Sequence, residues 1–263
     1  FENWQEGGIL RSRQSTSADG VPAEVTDLLA FNNAGLDTEP PWGVFNGSAN
    51  MALQGQNNAK NRYLNNDVLM LRFQGMNDLK GAADGSLINC VGQGEPATTV
   101  ASTWHTRPWV AFGVVGGANT GGEPELTCRY LSFSGQGAAN WVARPLARGV
   151  EVFQLLLAVS KAEGGNSLRW LNPYQVARER LWTSVQAVRF GLVLRSPNRV
   201  YPFGSADAIQ SQLAGPLSPL GAEYTDASDE DPGTSFRPPN DGRLRRTLAF
   251  TVALRNSLNS EPG

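Results

Sequence analysis

Apolar and polar positions alternate most cleanly at the end of the chain. Over 246–255, Leu248, Phe250, Val252 and Leu254 share one face, and Thr247, Ala249, Thr251 and Ala253 share the other. That pattern predicts a strand inside a sheet with its apolar row buried. Over 184–195, Val188, Phe190, Leu192 and Leu194 point one way, and Arg189, Gly191 and Arg195 the other. Asp67 to Phe73 is apolar on both faces, as an interior strand would be. Further strands are expected over 86–91, 109–115 and 126–131. The apolar stretch of 141–159 should bend at Gly149.

One segment reads as a short helix or a turn, and a second as a short helix. In 21–35, Val25, Leu28 and Leu29 fall at helical spacing. In 172–182, Pro173 stands where a first helical residue would. Residues 36–66 and 198–240 are rich in turn-forming residues and read as long loops inserted in one domain spanning 1–263. No internal repeat or linker divides the chain. Strands outnumber helices, and one-sided alternation implies antiparallel pairing. The expected class is α+β, dominated by an antiparallel sheet.

Composition narrows the picture. Charged residues make up 17% of the 263, hydrophobic residues 40%, and there are 29 Gly and 16 Pro. Such a chain can build a core yet is rich in loops. The net charge of -2 carries no basic surplus, so nucleic acid is not an expected partner. No run of 18 apolar residues suggests a membrane span. Cys90 and Cys128 are the whole thiol inventory. An even count in a loop-rich chain favours an oxidised pair over two free buried thiols.

Catalytic chemistry finds little to work with. A nucleophile–histidine device would have to use His105, the single histidine, in the segment STWHTRPW. No GxSxG turn exposes a serine. The glycine-rich stretch of 113–122 lacks the GK[ST] ending of a phosphate loop, and Gly92 and Gly94 run on into Pro96. Glu223, Asp226, Asp229, Glu230 and Asp231 form an acidic knot. Asp226, Asp229 and Asp231 are a weak calcium candidate, but the EF-hand pattern is absent and a solvated acidic loop is the favoured reading. The residues point to no enzyme, no cofactor and no metal.

Several segments, in order, resemble the PilW-type minor pilins of type IV pili. They are NNDVLMLRFQG at 65–75, ADGSLINCVG at 83–92, EPELTCRY at 123–130 and the closing strands at 143–159, 182–197 and 241–256. The resemblance covers about 65–256; residues 1–64 match weakly. It implies a pilin-like globular domain and a structural subunit of the pilus tip or priming complex. Other minor pilins, the major pilin and a large tip adhesin would be its partners. The implied location is the inner membrane and periplasm of a bacterium before assembly, and the extracellular pilus afterwards. It also implies a disulfide between Cys90 and Cys128. Members of that family begin with a hydrophobic helix, whereas this sequence begins FENWQEGG, so the expectation is that the helix is missing. An adhesin-like module that uses the long loops, and a type II secretion pseudopilin, are the alternatives.

Overall fold

The computed structural model describes residues 13–16, 22–25, 28–31, 66–72, 77–95, 109–116, 122–134, 138–160, 168–179, 181–200, 215–224, 234–239 and 241–254. Two antiparallel sheets face each other across a shared core. The first has five strands: β3 (Leu28–Phe31), β4 (Val68–Arg72), β5 (Trp109–Gly116), β6 (Pro124–Ser134) and β7 (Ala138–Arg148) lie side by side in that order. The second has four, in the order β11 (Arg245–Ala253), β10 (Val185–Arg195), β8 (Val150–Ser160), β9 (Leu168–Leu171). A separate pair joins β1 (Arg13–Thr16) to β2 (Pro22–Val25).

The core comes from both sheets. Leu69 and Val114 of the first meet Phe153, Leu155, Leu157, Val188 and Leu192 of the second. Helix α1 (Pro173–Glu179) adds Val176. Asn172 and Gln175 cap its first turn reciprocally. The Gln175 amide donates to Asn172 Oδ1 at 2.8 Å, and the Asn172 amide donates to Gln175 Oε1 at 3.0 Å.

Gly149 is where the chain leaves one sheet for the other. Its φ is +76°, and a Cβ there would lie 2.8 Å from the Arg195 carbonyl oxygen. Only glycine fits without a shift. Its amide donates to Pro124 O, and its carbonyl accepts from the Arg195 amide. The bend expected at this position is therefore a single-residue crossover between sheets.

A second tie joins the sheets at the start of β4. Strand β9 covers only the far half of β8, from Leu157 to Ser160. Asn66 and Asp67 stand in for a strand along the open half. Asn66 Oδ1 accepts from the Phe153 amide, Asp67 Oδ2 accepts from the Leu155 amide at 2.8 Å, and the Asp67 amide donates to Phe153 O at 2.8 Å. Both residues are buried, so these bonds answer backbone groups that water cannot reach.

Three expectations are corrected. The short helix or turn expected over 21–35 is instead strands β2 and β3. Leu28 and Ala30 are buried, a spacing of two that seats them on the core face of a strand. The strand over 86–91 is a turn with one bridge, Ile88 to Gly94. There the Asn89 side chain accepts from the Val91 and Gln93 amides and so competes with strand pairing. The terminal strand is an edge strand. Leu248, Phe250 and Val252 remain 51%, 43% and 45% exposed, and only Leu254 is half-buried against the core.

The apolar row of β11 is nonetheless on the predicted face. Val252, Phe250 and Leu248 pair with Val188, Phe190 and Leu192, which in turn pair with Leu157, Leu155 and Phe153. Directly opposite residues share a face. The core-facing side of the second sheet thus runs on past its cover. Phe250 stacks on Phe190 with centroids 4.9 Å apart and planes 15° from parallel. Phe250→Ala should cost about 1–2 kcal/mol, from one aromatic pair and partial burial, not the 3–5 of a core phenylalanine. Chemical denaturation checks this; a loss above about 3 kcal/mol would mean the row is covered.

Candidate functional site

The second sheet is anchored at one corner by alternating charges. A register shift between Val193 and Leu194 leaves Glu151 as the extra residue of a bulge. Bulges re-aim side chains, and Glu151 meets two arginines here. Its Oε1 lies 3.1 Å from Arg195 Nη1, and its Oε2 2.7 Å from Arg245 Nε. Arg245, with a side chain only 3% exposed, also forks onto Asp241 at 2.6 and 2.7 Å. Arg195 reaches Glu123 at 2.7 Å, and Glu123 also holds Arg243 at 2.7 Å. The network joins the approach to β6, the start of β8, the end of β10 and the start of β11.

Two of its carboxyls, Asp241 and Glu123, are held below their ordinary values. The hydrogen bond from Arg245 is the main cause that brings Asp241 from 3.8 to about 2. Burial pushes Glu123 up, but bonds and charge from Arg195 and Arg243 outweigh it and hold the group below its ordinary value. In the folded state both give up their protons more readily than in the unfolded chain. Their stabilisation is full above the unfolded values, 3.8 and 4.5; that of Asp241 is lost as pH falls towards about 2, and that of Glu123 as pH falls below 4.5. Glu95 acts in the opposite sense: burial raises it, against a hydrogen bond from Asn89. Thermal melts from pH 6 to pH 2 should show a falling Tm. In an Asp241→Asn variant the fall should be shallower. An unchanged slope in that variant would contradict the assignment.

Cys90 and Cys128 are joined, with Cα atoms 6.4 Å apart, inside the range a disulfide spans. Cys128 is fully buried on β6 beside Val110 and Tyr130. The bond pins the double turn of 77–95 to the first sheet. Asp78 Oδ1 accepts from the Lys80 and Ala82 amides at 2.9 Å, so the first turn is held from within. Leu79 and Ile88 stand out from the two turns, both exposed. The amides near Gly92 and Gly94 are engaged by Asn89 and Leu87 rather than pointing at an open cradle.

A strap, residues 215–224, crosses the other side of β10. A Cβ on Gly191 would meet the Pro219 backbone at 2.7 Å, so glycine lets the strap lie flat on the sheet. Arg189 fastens it, donating to Leu220 O at 2.8 Å and lying 5.1 Å from the Tyr224 ring centroid. Glu223 is 3.6 Å from Arg189.

The remaining sites read from sequence lie outside the described residues: His105, the calcium candidates Asp226, Asp229 and Asp231, and most of 36–66 and 198–240. Among the described residues no group of three or more His, Cys, Asp or Glu side chains could hold a metal, and no helix is long and apolar enough to cross a membrane. Sequence reading missed the charge network, whose members span more than a hundred positions. The one local signal was the arginine run at 243–246 beside Asp241.

These features define a β-rich scaffold fastened by a disulfide, a charge network and a strap. Residues 114–256, more than half of the chain, match the family model described as type IV pilus-assembly protein W, and the chain belongs to that family. Among solved structures it is similar to a type IV-like pilin from Thermus thermophilus, at 17% identity over 73% of this chain and 78% of that one, with a TM-score of 0.35. A likeness so loose decides nothing further. No curated relative matches the sequence.

Proposed function

We propose that the protein is a minor pilin, a non-catalytic subunit of the complex that primes or caps a type IV pilus. The observation that carries this is the family match over 114–256, which takes in β6 to β11, and so the whole second sheet, and the charge network. In this reading residues 1–263 act as one domain. Its partners are other minor pilins, the major pilin and a tip adhesin. It passes from the bacterial inner membrane and periplasm to the extracellular pilus.

The geometry is consistent with a part built to be held. The disulfide, the charge network and the strap fix backbone that the sheets alone would leave loose. Surfaces on such a frame are pre-organised, which lowers the ordering cost of association. An oxidising compartment also suits the Cys90–Cys128 bond.

Binding tests the proposal. The purified protein should bind soluble domains of minor pilins encoded beside it, with Kd on the order of micromolar, as expected of an interface that co-localisation assists. It should ignore an array of glycans. Glycan capture with no pilin binding would overturn the reading.

A further inference from the structure

We propose that β11 is a docking edge that takes up an extended segment of another pilus subunit as an added antiparallel strand, an inference that rests on the pilus-subunit reading above.

The backbone directions come first. The Leu254 amide donates to Gln186 O at 2.7 Å, and the Ser196 amide donates to Leu244 O at 2.8 Å. Between those two bonds β10 and β11 pair without a register shift. Antiparallel alternation then aims the amides and carbonyls of Arg246, Leu248, Phe250 and Val252 at β10. Those of Thr247, Ala249 and Thr251 face away, and among the described residues no strand lies there.

Edges of sheets are normally guarded by proline, a bulge, a charge or a cover. The open half of β8 is covered by Asn66 and Asp67. Edge strand β7 carries Arg144, Pro145 and Arg148 and a register shift in its pairing. From Thr247 to Ala253, β11 has no charge, proline or bulge, and every residue is exposed. The unguarded edge borders the apolar row that continues the core face.

The same features set the chemistry of the occupant. Alternate apolar side chains would flank Leu248, Phe250 and Val252. Antiparallel addition brings the incoming strand's C-terminal end to the start of β11. There Arg246 stands exposed on the apolar face, with no ion-pair partner among the described residues. A carboxylate near that end completes the match. A helix laid on the row would cover Phe250 but leave the edge amides bare, whereas a strand engages the edge and lengthens the row.

The probe is a synthetic eight-residue peptide of alternating threonine and valine ending in glutamate, added to the whole protein. Amide exchange read by NMR should slow at Thr247, Ala249 and Thr251 by about tenfold or more, with Leu248 and Phe250 unchanged. A lysine-ended peptide should bind about tenfold more weakly. Thr251→Pro, which removes an outward amide, should abolish the effect. Ala249→Lys, which leaves the backbone intact, should weaken it as a guard against a fold defect in the proline variant. Shifts at Phe250 without edge protection would overturn the proposal in favour of a ligand on the face. Protection that grows with protein concentration, without peptide, would overturn it in favour of a second copy. Neighbouring pilin domains that bind but leave these amides unprotected would refute the docking edge and spare the minor-pilin reading. Peptide protection with no pilin binding would sink that reading and leave the edge intact but its occupant reassigned, which refutes the proposal as stated.

Discussion

Replacing Cys90 and Cys128 with serine is expected to cost about 4 kcal/mol, the chain-entropy value for the 38-residue separation. Part of the cost falls locally. Without the bond, the double turn of 77–95 keeps its Asx and backbone turn bonds, two isolated bridges and the packing of Leu87 and Val91 on the first sheet, but no covalent tie. Cys128 itself stays seated in the first sheet, paired with Phe112 and Arg144. Amide exchange should therefore speed up first in 77–95, ahead of β6. Intact mass should rise by two hydrogens on reduction, and the untreated protein should resist alkylation. Two alkylatable thiols in that sample, or a ΔΔG below about 1 kcal/mol in the double variant, would contradict this.

Glu151→Ala should cost about 3 kcal/mol, at the low end for breaking a buried ion pair. The carboxylate is shared by Arg195 and Arg245, and its loss leaves two arginine side chains, 15% and 3% exposed, facing each other. The loss stays at the low end because Asp241 still holds Arg245 and Glu123 still holds Arg195. The coupling is the sharper test. Arg245→Met in the Glu151→Ala background should cost less than Arg245→Met alone, by about 1 kcal/mol or more. Strict additivity in urea unfolding would mean that the network is only a surface feature.

What the sequence disclosed follows from period and spacing. Alternation at 184–195 and 246–255 gave two strands and the face each apolar residue shares. Pro173 marked the helix start because proline suits the first helical position. Period cannot tell an edge strand from a central one, and so the row of β11 was read as buried. Nor does helical spacing of three apolar residues outweigh tertiary pairing, which made strands of 22–25 and 28–31. By sequence Asn66 reads as the end of a loop and Asp67 as the start of a strand, and neither shows its tie to β8, since that role depends on a strand more than eighty residues away. The charge network needed the bulge at Glu151, which is a consequence of register and has no mark in the sequence. The family likeness was legible because it rests on local segments in order: strands of both sheets within 65–75, 123–130, 143–159, 182–197 and 241–256, and the cysteine-bearing turn of 83–92.

The central claim, that this chain is a subunit needed to build a pilus, is tested most directly by a clean deletion of its gene with surface pili counted by electron microscopy. Surface pili should fall sharply while the major pilin remains at its normal level in the membrane, and the gene supplied in trans should restore them. Wild-type piliation in the deletion strain, with no second gene of the same family present, would contradict the account.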